Sequence, residues 1–202
     1  MLKRILLVVA MSLFLGACAS TEMTSIRDPS ASTLSYQRIL VVAPFSDLES
    51  RMEAENAFVA QLRNRGVHGV PSISVLLPTR TYSDEELGSI LKDTGVDGVL
   101  LVTLTAAYTQ QSYVPGFSTT TGTATLSGNV VNYFGSTQHY GGYYISEPRV
   151  HYELRLFDAA TGKTTWLATS LTRGNAFAKF STLIQSLAQT AIQKLQQDGM
   201  IK

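Results

Sequence analysis

Three short apolar runs, separated by stretches with a helical pattern, most strongly limit the folds open to this chain. The runs are residues 38–45 (RILVVAPF) and 99–104 (VLLVTL), which are continuous, and residues 67–77, which Gly69 and Pro71 interrupt. Continuous runs rich in Val, Ile and Leu are typical of strands that are covered on both faces. With helices over 46–65 and 83–94, the order is β-α-β-α-β with short loops. This order predicts a largely parallel sheet covered by helices.

Both predicted helices have start and stop signals. Ser46 precedes Glu49 by three residues, which is the spacing of a capping box. Gly66 then ends the first helix in the left-handed conformation. The second helix repeats this pattern from Ser83 to Gly95.

The C-terminal part of the chain predicts a hairpin followed by a helix. Residues 149–157 alternate between polar and apolar side chains, residues 158–163 are turn formers, and residues 164–169 return as the partner strand. Residues 176–197 place their apolar side chains on one helical stripe. The predicted fold class is therefore α/β: a β-α-β-α-β core continued by an antiparallel hairpin and a C-terminal helix, with sheet and helices in two or three layers.

A long uncharged segment separates the two halves of the chain. Residues 98–146 contain no Asp, Glu, Lys or Arg, and six of the nine tyrosines lie there. Ser, Thr, Gly and Asn dominate, and the strand signals are weak. We expect an insertion at about residues 109–147 that forms either a long hairpin or a mobile loop.

This insertion is the candidate binding surface. Tyrosine mixed with Gly, Ser and Asn provides rigid aromatic contact area together with adaptable hydrogen bonds, as in antibody loops. Such a surface suits another envelope protein or a glycan. The candidate residues are Tyr133, His139, Tyr140, Tyr143 and Tyr144.

The N-terminus has the pattern of an export signal. Lys3 and Arg4 precede an apolar run over residues 5–15, and small residues follow before Cys18. The run is about half the roughly 20 residues that a membrane-spanning helix needs. The sequence Leu-Gly-Ala-Cys at 15–18 resembles the lipobox of bacterial lipoproteins. We therefore interpret residues 1–18 as a lipoprotein signal peptide that ends at the lipidated cysteine.

The lipobox resemblance implies a location as well as a modification. In lipoproteins of this kind the cysteine thiol carries diacylglycerol and its amino group carries a further acyl chain such as palmitate. Ala19 and Ser20 follow Cys18 where an aspartate would retain the protein at the inner membrane. The resemblance therefore implies anchoring at the outer membrane of the cell envelope, facing the periplasm.

Composition limits the remaining choices. Removing the signal takes away Lys3 and Arg4, so 14 basic residues face 15 acidic ones and no basic field exists to attract nucleic acid. Cys18 is the only cysteine.

Residues 19–35 are polar and lack periodicity, which predicts a flexible tether. A single α/β domain would then occupy residues 36–202.

The chain also resembles a group of envelope lipoproteins that includes the curli-secretion channel lipoprotein and the lipoprotein activators of penicillin-binding proteins. The similar stretches are RILVVAPF at 38–45, TGVDGVLLVTL at 94–104 and LRLFDAATGKTTW at 154–166. The resemblance implies either an oligomeric pore built from inserted hairpins or a periplasmic protein-binding module. The insertion lacks the apolar face that a membrane-crossing strand needs, which favours the module.

The short chemical motifs are incomplete. Ser89 and Lys92 match the S-x-x-K string of acyl enzymes, but its companion motifs are missing. Gly162-Lys163-Thr164 lacks the upstream glycine of a phosphate-binding loop and is explained by a turn. The three histidines show no metal-ligand spacing. We therefore expect a protein that is not an enzyme and that holds no metal or other cofactor.

Together these observations predict an outer-membrane-anchored periplasmic lipoprotein that acts as a binding or assembly module. Its expected partners are the membrane, through lipid on Cys18, and another envelope protein or a glycan. One alternative is a subunit of a homo-oligomeric export or secretion structure. A further alternative is an envelope hydrolase.

Overall fold

The computed structural model describes residues 18–127 and 130–202. The strands are β1 (Ala19–Arg27), β2 (Arg38–Val42), β3 (His68–Pro71), β4 (Gly98–Val114), β5 (Phe117–Ser127), β6 (Val130–Tyr140), β7 (Tyr143–Asp158) and β8 (Thr164–Gly174). The helices are α1 (Leu48–Asn64), α2 (Asp84–Thr94) and α3 (Phe180–Gln197). Two short 3-10 turns lie at Pro29–Ala31 and Ser72–Ser74.

Six of the strands form one mixed sheet in the order β1-β8-β7-β4-β2-β3. Strands β3, β2 and β4 are parallel, as the β-α-β-α-β pattern predicts, whereas β4, β7, β8 and β1 pair antiparallel. Strands β5 and β6 form a separate two-stranded sheet. The predicted α/β fold class is confirmed, although only half of the large sheet is parallel.

The sequence pattern of each strand matches its covering. On β2, Ile39 and Val41 belong to the main core under α1 and α3, and Leu40 belongs to a second cluster on the opposite face. This explains the continuous apolar run. On β7 only one face is fully buried, with Leu154 and Leu156 inaccessible to solvent, so its polar and apolar residues alternate.

The helix termini follow the predicted chemistry with one correction. The N-cap of α1 is Asp47, whose carboxylate accepts the N–H of Ser50 at 2.8 Å, so the prediction of Ser46 is wrong by one residue. An aspartate caps as well as a serine, because either supplies a side-chain oxygen. The capping box that begins at Ser83 is confirmed, and Gly95 ends α2 at a φ of 65°.

The flexible tether predicted for residues 19–35 is wrong. Residues 19–27 form β1, which pairs along its whole length with β8. The 3-10 turn follows, with Asp28 as its cap and Ala31 buried. The backbone N–H of Tyr36 then donates to the carbonyl of Met200 at 2.8 Å. Residues 19–27 therefore belong to the folded body, because β1 gains a full ladder of backbone hydrogen bonds.

Candidate functional site

Cys18 is exposed at the start of β1, at one end of the sheet. Its carbonyl oxygen accepts the backbone N–H of Asn175 at 3.1 Å. The next residue, Ala19, already pairs with Gly174 on β8. The backbone of the predicted lipidation residue is thus fixed against the folded body. The signal sequence before it, residues 1–17, lies outside the described residues.

Side-chain hydrogen bonds hold the other end of β1. The carboxylate of Asp198, just after α3, accepts hydrogen bonds from Ser25 Oγ, from Trp166 Nε1 at 2.7 Å and from Lys194 Nζ at 3.1 Å. Burial raises the pKa of Asp198, but these three hydrogen bonds outweigh that effect and hold the pKa below its ordinary value. The Asp198 carboxylate therefore joins β1, β8 and α3.

A long β-hairpin projects from the end of the sheet at which Cys18 lies. The pairing of β7 with β8 stops at Arg149 and Arg173. Strands β4 and β7 continue to pair beyond this point, from Thr109 opposite Pro148 to Val114 opposite Tyr143. We call residues 109–147 the arm. The arm corresponds to the predicted insertion, and its described residues form hairpin strands.

Gly116 and Gly142 lie where the arm passes from the six-stranded sheet to the two-stranded β5–β6 sheet. A Cβ on Gly116 would overlap the carbonyl oxygen of Tyr140, and a Cβ on Gly142 would overlap the ring of Tyr113. Gly116 meets backbone atoms, so only glycine fits there, whereas a side chain at Gly142 would displace the Tyr113 ring. The Tyr113 ring also packs against Tyr144, with ring centroids 5.1 Å apart. The junction between the two hairpin segments is therefore tightly packed.

The distal part of the arm is the β5–β6 hairpin. At its base the Phe117 and Tyr140 rings stack with centroids 4.8 Å apart, and the next pair joins Ser118 Oγ to His139 Nδ1 at 2.6 Å. These residues face each other in the register of the two strands. The side chain of Tyr133, also a predicted site residue, lies outside the described residues.

The arm exposes much of its aromatic surface. Tyr140 is 49% exposed, Tyr143 59% and Tyr144 70%, as the predicted binding surface requires. Pattern reasoning did not select Phe117 or Phe177, which are also exposed. Phe117 can be identified as a candidate site residue only from the strand register, which places it opposite Tyr140. The predicted helix over 176–197 included Phe177, but α3 begins at Phe180 and Phe177 lies in the loop before it.

The arm also has unpaired strand edges. Within the described strands, β2 covers the outer edge of β4 only from Gly98 to Leu101, and β8 covers β7 only as far as Arg149. β5 and β6 pair only with each other. Such edges present free N–H and C=O groups to another chain.

A cavity lies where β4 and β7 approach the start of α3. It has a volume of about 160 Å³, and its lining includes Phe45, Asp47, Leu104, Tyr152 and Phe180. Burial raises the pKa of Tyr152 to about 12.

The described residues contain no group of three or more His, Cys, Asp or Glu placed to hold a metal ion. Nor does any helix among the described residues have the length and hydropathy to span a bilayer.

No protein-family model matches the chain, and no curated protein matches it. Among solved structures, the PelC dodecamer from Paraburkholderia phytofirmans is similar, with a TM-score of 0.48 and 14% identity over 90% of this chain and 99% of the PelC chain. Lipoprotein GNA1162 from Neisseria meningitidis gives a TM-score of 0.40 and 19% identity over 79% of this chain and 98% of its own. At these TM-scores the similarity assigns neither a family nor a function.

Proposed function

We propose that the protein is a lipoprotein of the bacterial outer membrane that faces the periplasm and serves, without enzymatic activity, as a binding or assembly module. One observation carries this proposal. The exposed Cys18 and the tyrosine-rich arm, which is uncharged over residues 109–146, lie at the same end of the sheet. A lipid on Cys18 would hold the arm beside the membrane, where another envelope component can contact it.

The chemistry of the N-terminus supports the anchor. A basic start, an apolar run too short to span a bilayer and a lipobox-like Leu-Gly-Ala-Cys precede Cys18. A single acyl chain binds membranes only marginally, so stable anchoring requires more than one chain. The diacylglycerol and amide-linked acyl chain expected at Cys18 would meet that requirement.

The arm supports the binding role. Tyr140, Tyr143 and Tyr144 expose rigid aromatic surface, and the hydroxyl of Tyr140 donates to Gln138 Oε1 at 3.0 Å. His139 is held by Ser118. Aromatic side chains positioned by neighbours bind at low cost in conformational entropy, because their rotamers are already restricted. A protein strand or a glycan is the partner class that this surface suits.

The unpaired edges of the arm favour a second candidate function, a subunit of a homo-oligomeric export or secretion structure. An isolated two-stranded hairpin is marginally stable, and pairing with a neighbouring strand would stabilise it. The arms of adjacent copies offer such strands. In this form the partner of the arm is another copy of the same chain.

In-cell photocrosslinking tests the binding role. A photoreactive residue at Tyr140 of the lipidated full-length chain is expected to capture one defined partner. The matched control is Ala160, which is exposed in the β7–β8 turn at the opposite end of the sheet. Capture of the same species from both positions, or from Ala160 alone, would contradict a binding role for the arm.

The mass of the captured product separates the two candidates. A crosslinked homodimer or ladder of copies, together with a single molar mass of several copies in light scattering of the detergent-solubilised protein, would establish the oligomeric subunit. A single heterologous protein or a glycan on a monomeric chain would establish the binding module.

A further inference from the structure

No flexible linker separates the proposed lipid attachment site at Cys18 from the folded body. Cys18 is hydrogen-bonded to Asn175, and the strand begins at Ala19. A flexible tether of about 17 residues would reach roughly 20–25 Å. Each headgroup layer is only about 5–8 Å thick, since a bilayer of roughly 40–45 Å has a hydrocarbon core of roughly 30 Å. The residues around Cys18 must therefore touch the lipid surface.

An exposed aromatic side chain stands beside this attachment point. Phe177 is 78% exposed, which is the largest value among the exposed large apolar side chains of the described residues. Its backbone N–H donates to Asn175 Oδ1 at 3.1 Å, and the N–H of Ala178 donates to the Asn175 carbonyl at 3.0 Å. Asn175 therefore fixes both Cys18 and the loop that presents the phenyl ring.

The neighbouring charges suit a lipid headgroup layer. Lys179 is exposed two residues after Phe177. A lysine beside an interfacial aromatic residue is attracted to anionic headgroups, and aromatic side chains concentrate at that depth. Glu22, on β1, forms a surface salt bridge with Arg173, which offsets its negative charge near Cys18.

The proximal arm reaches the same layer. Tyr144 lies four residues beyond Pro148, the level at which the arm leaves the sheet, or roughly 13 Å along the strand at about 3.3 Å per residue. This exceeds the thickness of one headgroup layer, so the arm must run along that layer rather than straight into the bilayer. Its side chain is 70% exposed. The only charged side chain of the arm is Glu147 at its base, which is paired with Arg149. Residues 109–146 carry no charge and can lie in the headgroup layer without burying one.

We propose that the end of the sheet around Cys18 is a membrane-seating surface. Phe177 inserts its ring at the boundary between phospholipid headgroups and acyl chains, Lys179 contacts the phosphates, and Tyr144 lies in the same layer. This inference rests on the proposed lipid anchor and deepens it. The β5–β6 hairpin then remains free to bind the partner. That partner must lie at the membrane surface rather than deep in the periplasm.

Depth-dependent fluorescence tests this seating. The full-length chain is expressed in a Gram-negative host, purified in its processed form and reconstituted into phosphatidylethanolamine–phosphatidylglycerol vesicles with or without brominated acyl chains. Phe177→Trp is compared with Ile26→Trp. Ile26 is similarly exposed, at 66%, but lies roughly 26 Å along β1 from Cys18. The only native tryptophan, Trp166, is buried and provides the background from the unsubstituted protein.

The expected result is strong quenching and a blue shift for Phe177→Trp, with neither for Ile26→Trp. Tyr144→Trp should also be quenched. Vesicle flotation of the same samples separates the two claims. If the protein floats and Phe177→Trp emits like Ile26→Trp, the seating is overturned while the lipid anchor stands. If none of the variants floats, the anchor and the seating both fail.

Discussion

The hydroxyl of Thr21 on β1 hydrogen-bonds to the hydroxyl of Ser186 on α3 at 2.9 Å, although the two residues lie 165 positions apart in the chain. The same Thr21 hydroxyl lies 3.0 Å from that of Thr172 on β8. Polar contacts of this kind add to the backbone pairing of β1 with β8 and to the packing of Ala19 and Met23 on the core. They determine how closely Cys18, and any lipid on it, is held to the fold.

The Asp198 carboxylate should make the attachment of β1 pH-dependent. Its hydrogen bonds hold its pKa in the folded state below the ordinary value of 3.8. The stabilisation is therefore fully present above about pH 4 and is lost as the pH falls through the lower, folded-state pKa. Asp198→Asn should lower the free energy of unfolding at pH 7 by about 1–3 kcal/mol.

Urea denaturation of the unsubstituted chain and of Asp198→Asn, at neutral and at strongly acidic pH, measures how much the carboxylate contributes to the free energy of unfolding. The difference between the two proteins should shrink on acidification, because the native carboxylate is then protonated as well. A difference that stays constant from neutral to acidic pH would show that the Asp198 charge does not contribute.

Glu55 should be a major determinant of stability. Its side chain is fully buried on α1. It accepts hydrogen bonds from the N–H of Ala43 at 3.2 Å, Arg51 Nε at 3.2 Å, Ser72 Oγ at 2.6 Å and the N–H of Ile73 at 3.0 Å. Glu55→Ala removes the acceptor of all four donors and leaves the largely buried guanidinium of Arg51 without a carboxylate, with only its bond from Nη2 to Ser72 Oγ at 3.1 Å. We expect a loss of about 3–5 kcal/mol.

The control for this prediction lies on the same helix. Glu53→Ala removes a carboxylate that is only partly buried and should change the free energy of unfolding by less than about 0.5 kcal/mol. Thermal or urea denaturation of both variants measures the two losses in the free energy of unfolding. Equal losses for the two would refute the role assigned to Glu55.

The junction of the arm should depend on Gly116. Gly116→Ala places a methyl group against the backbone oxygen of Tyr140, which must move. Gly141→Ala meets no atom within 4 Å and is the matched control. We expect Gly116→Ala to increase cleavage within residues 109–147 during limited proteolysis and to leave the unfolding of the body unchanged. Equal protection of the two variants would contradict the packed junction.

The sequence predicted the parts of the fold that are built from apolar periodicity. The two-sided burial of β2, the hairpin of β7 and β8 and the stripe of α3 all appear where the pattern places them. Strand β1 escaped detection because its inward-facing residues include Thr21 and Ser25, whose hydroxyl groups are satisfied by hydrogen bonds. A search for apolar alternation cannot find such a strand.

The candidate site was predictable in location but not in geometry. The absence of charge and the abundance of tyrosine marked residues 109–147 as an insertion. The opposition of Phe117 and Tyr140 depends on the register of β5 and β6, which weak strand signals do not specify. The nearness of Phe177 to Cys18 depends on the pairing of β1 with β8. Neither relationship is visible in a single sequence.

Intact mass spectrometry of the full-length chain, expressed in a Gram-negative host and recovered from its membranes, tests the lipid anchor most directly. We expect a chain that begins at Cys18 and carries diacylglycerol and one further acyl chain. Cys18→Ser should accumulate as an uncleaved, unlipidated precursor. A wild-type chain that retains residues 1–17, or that is cleaved elsewhere without added lipid, would contradict the account.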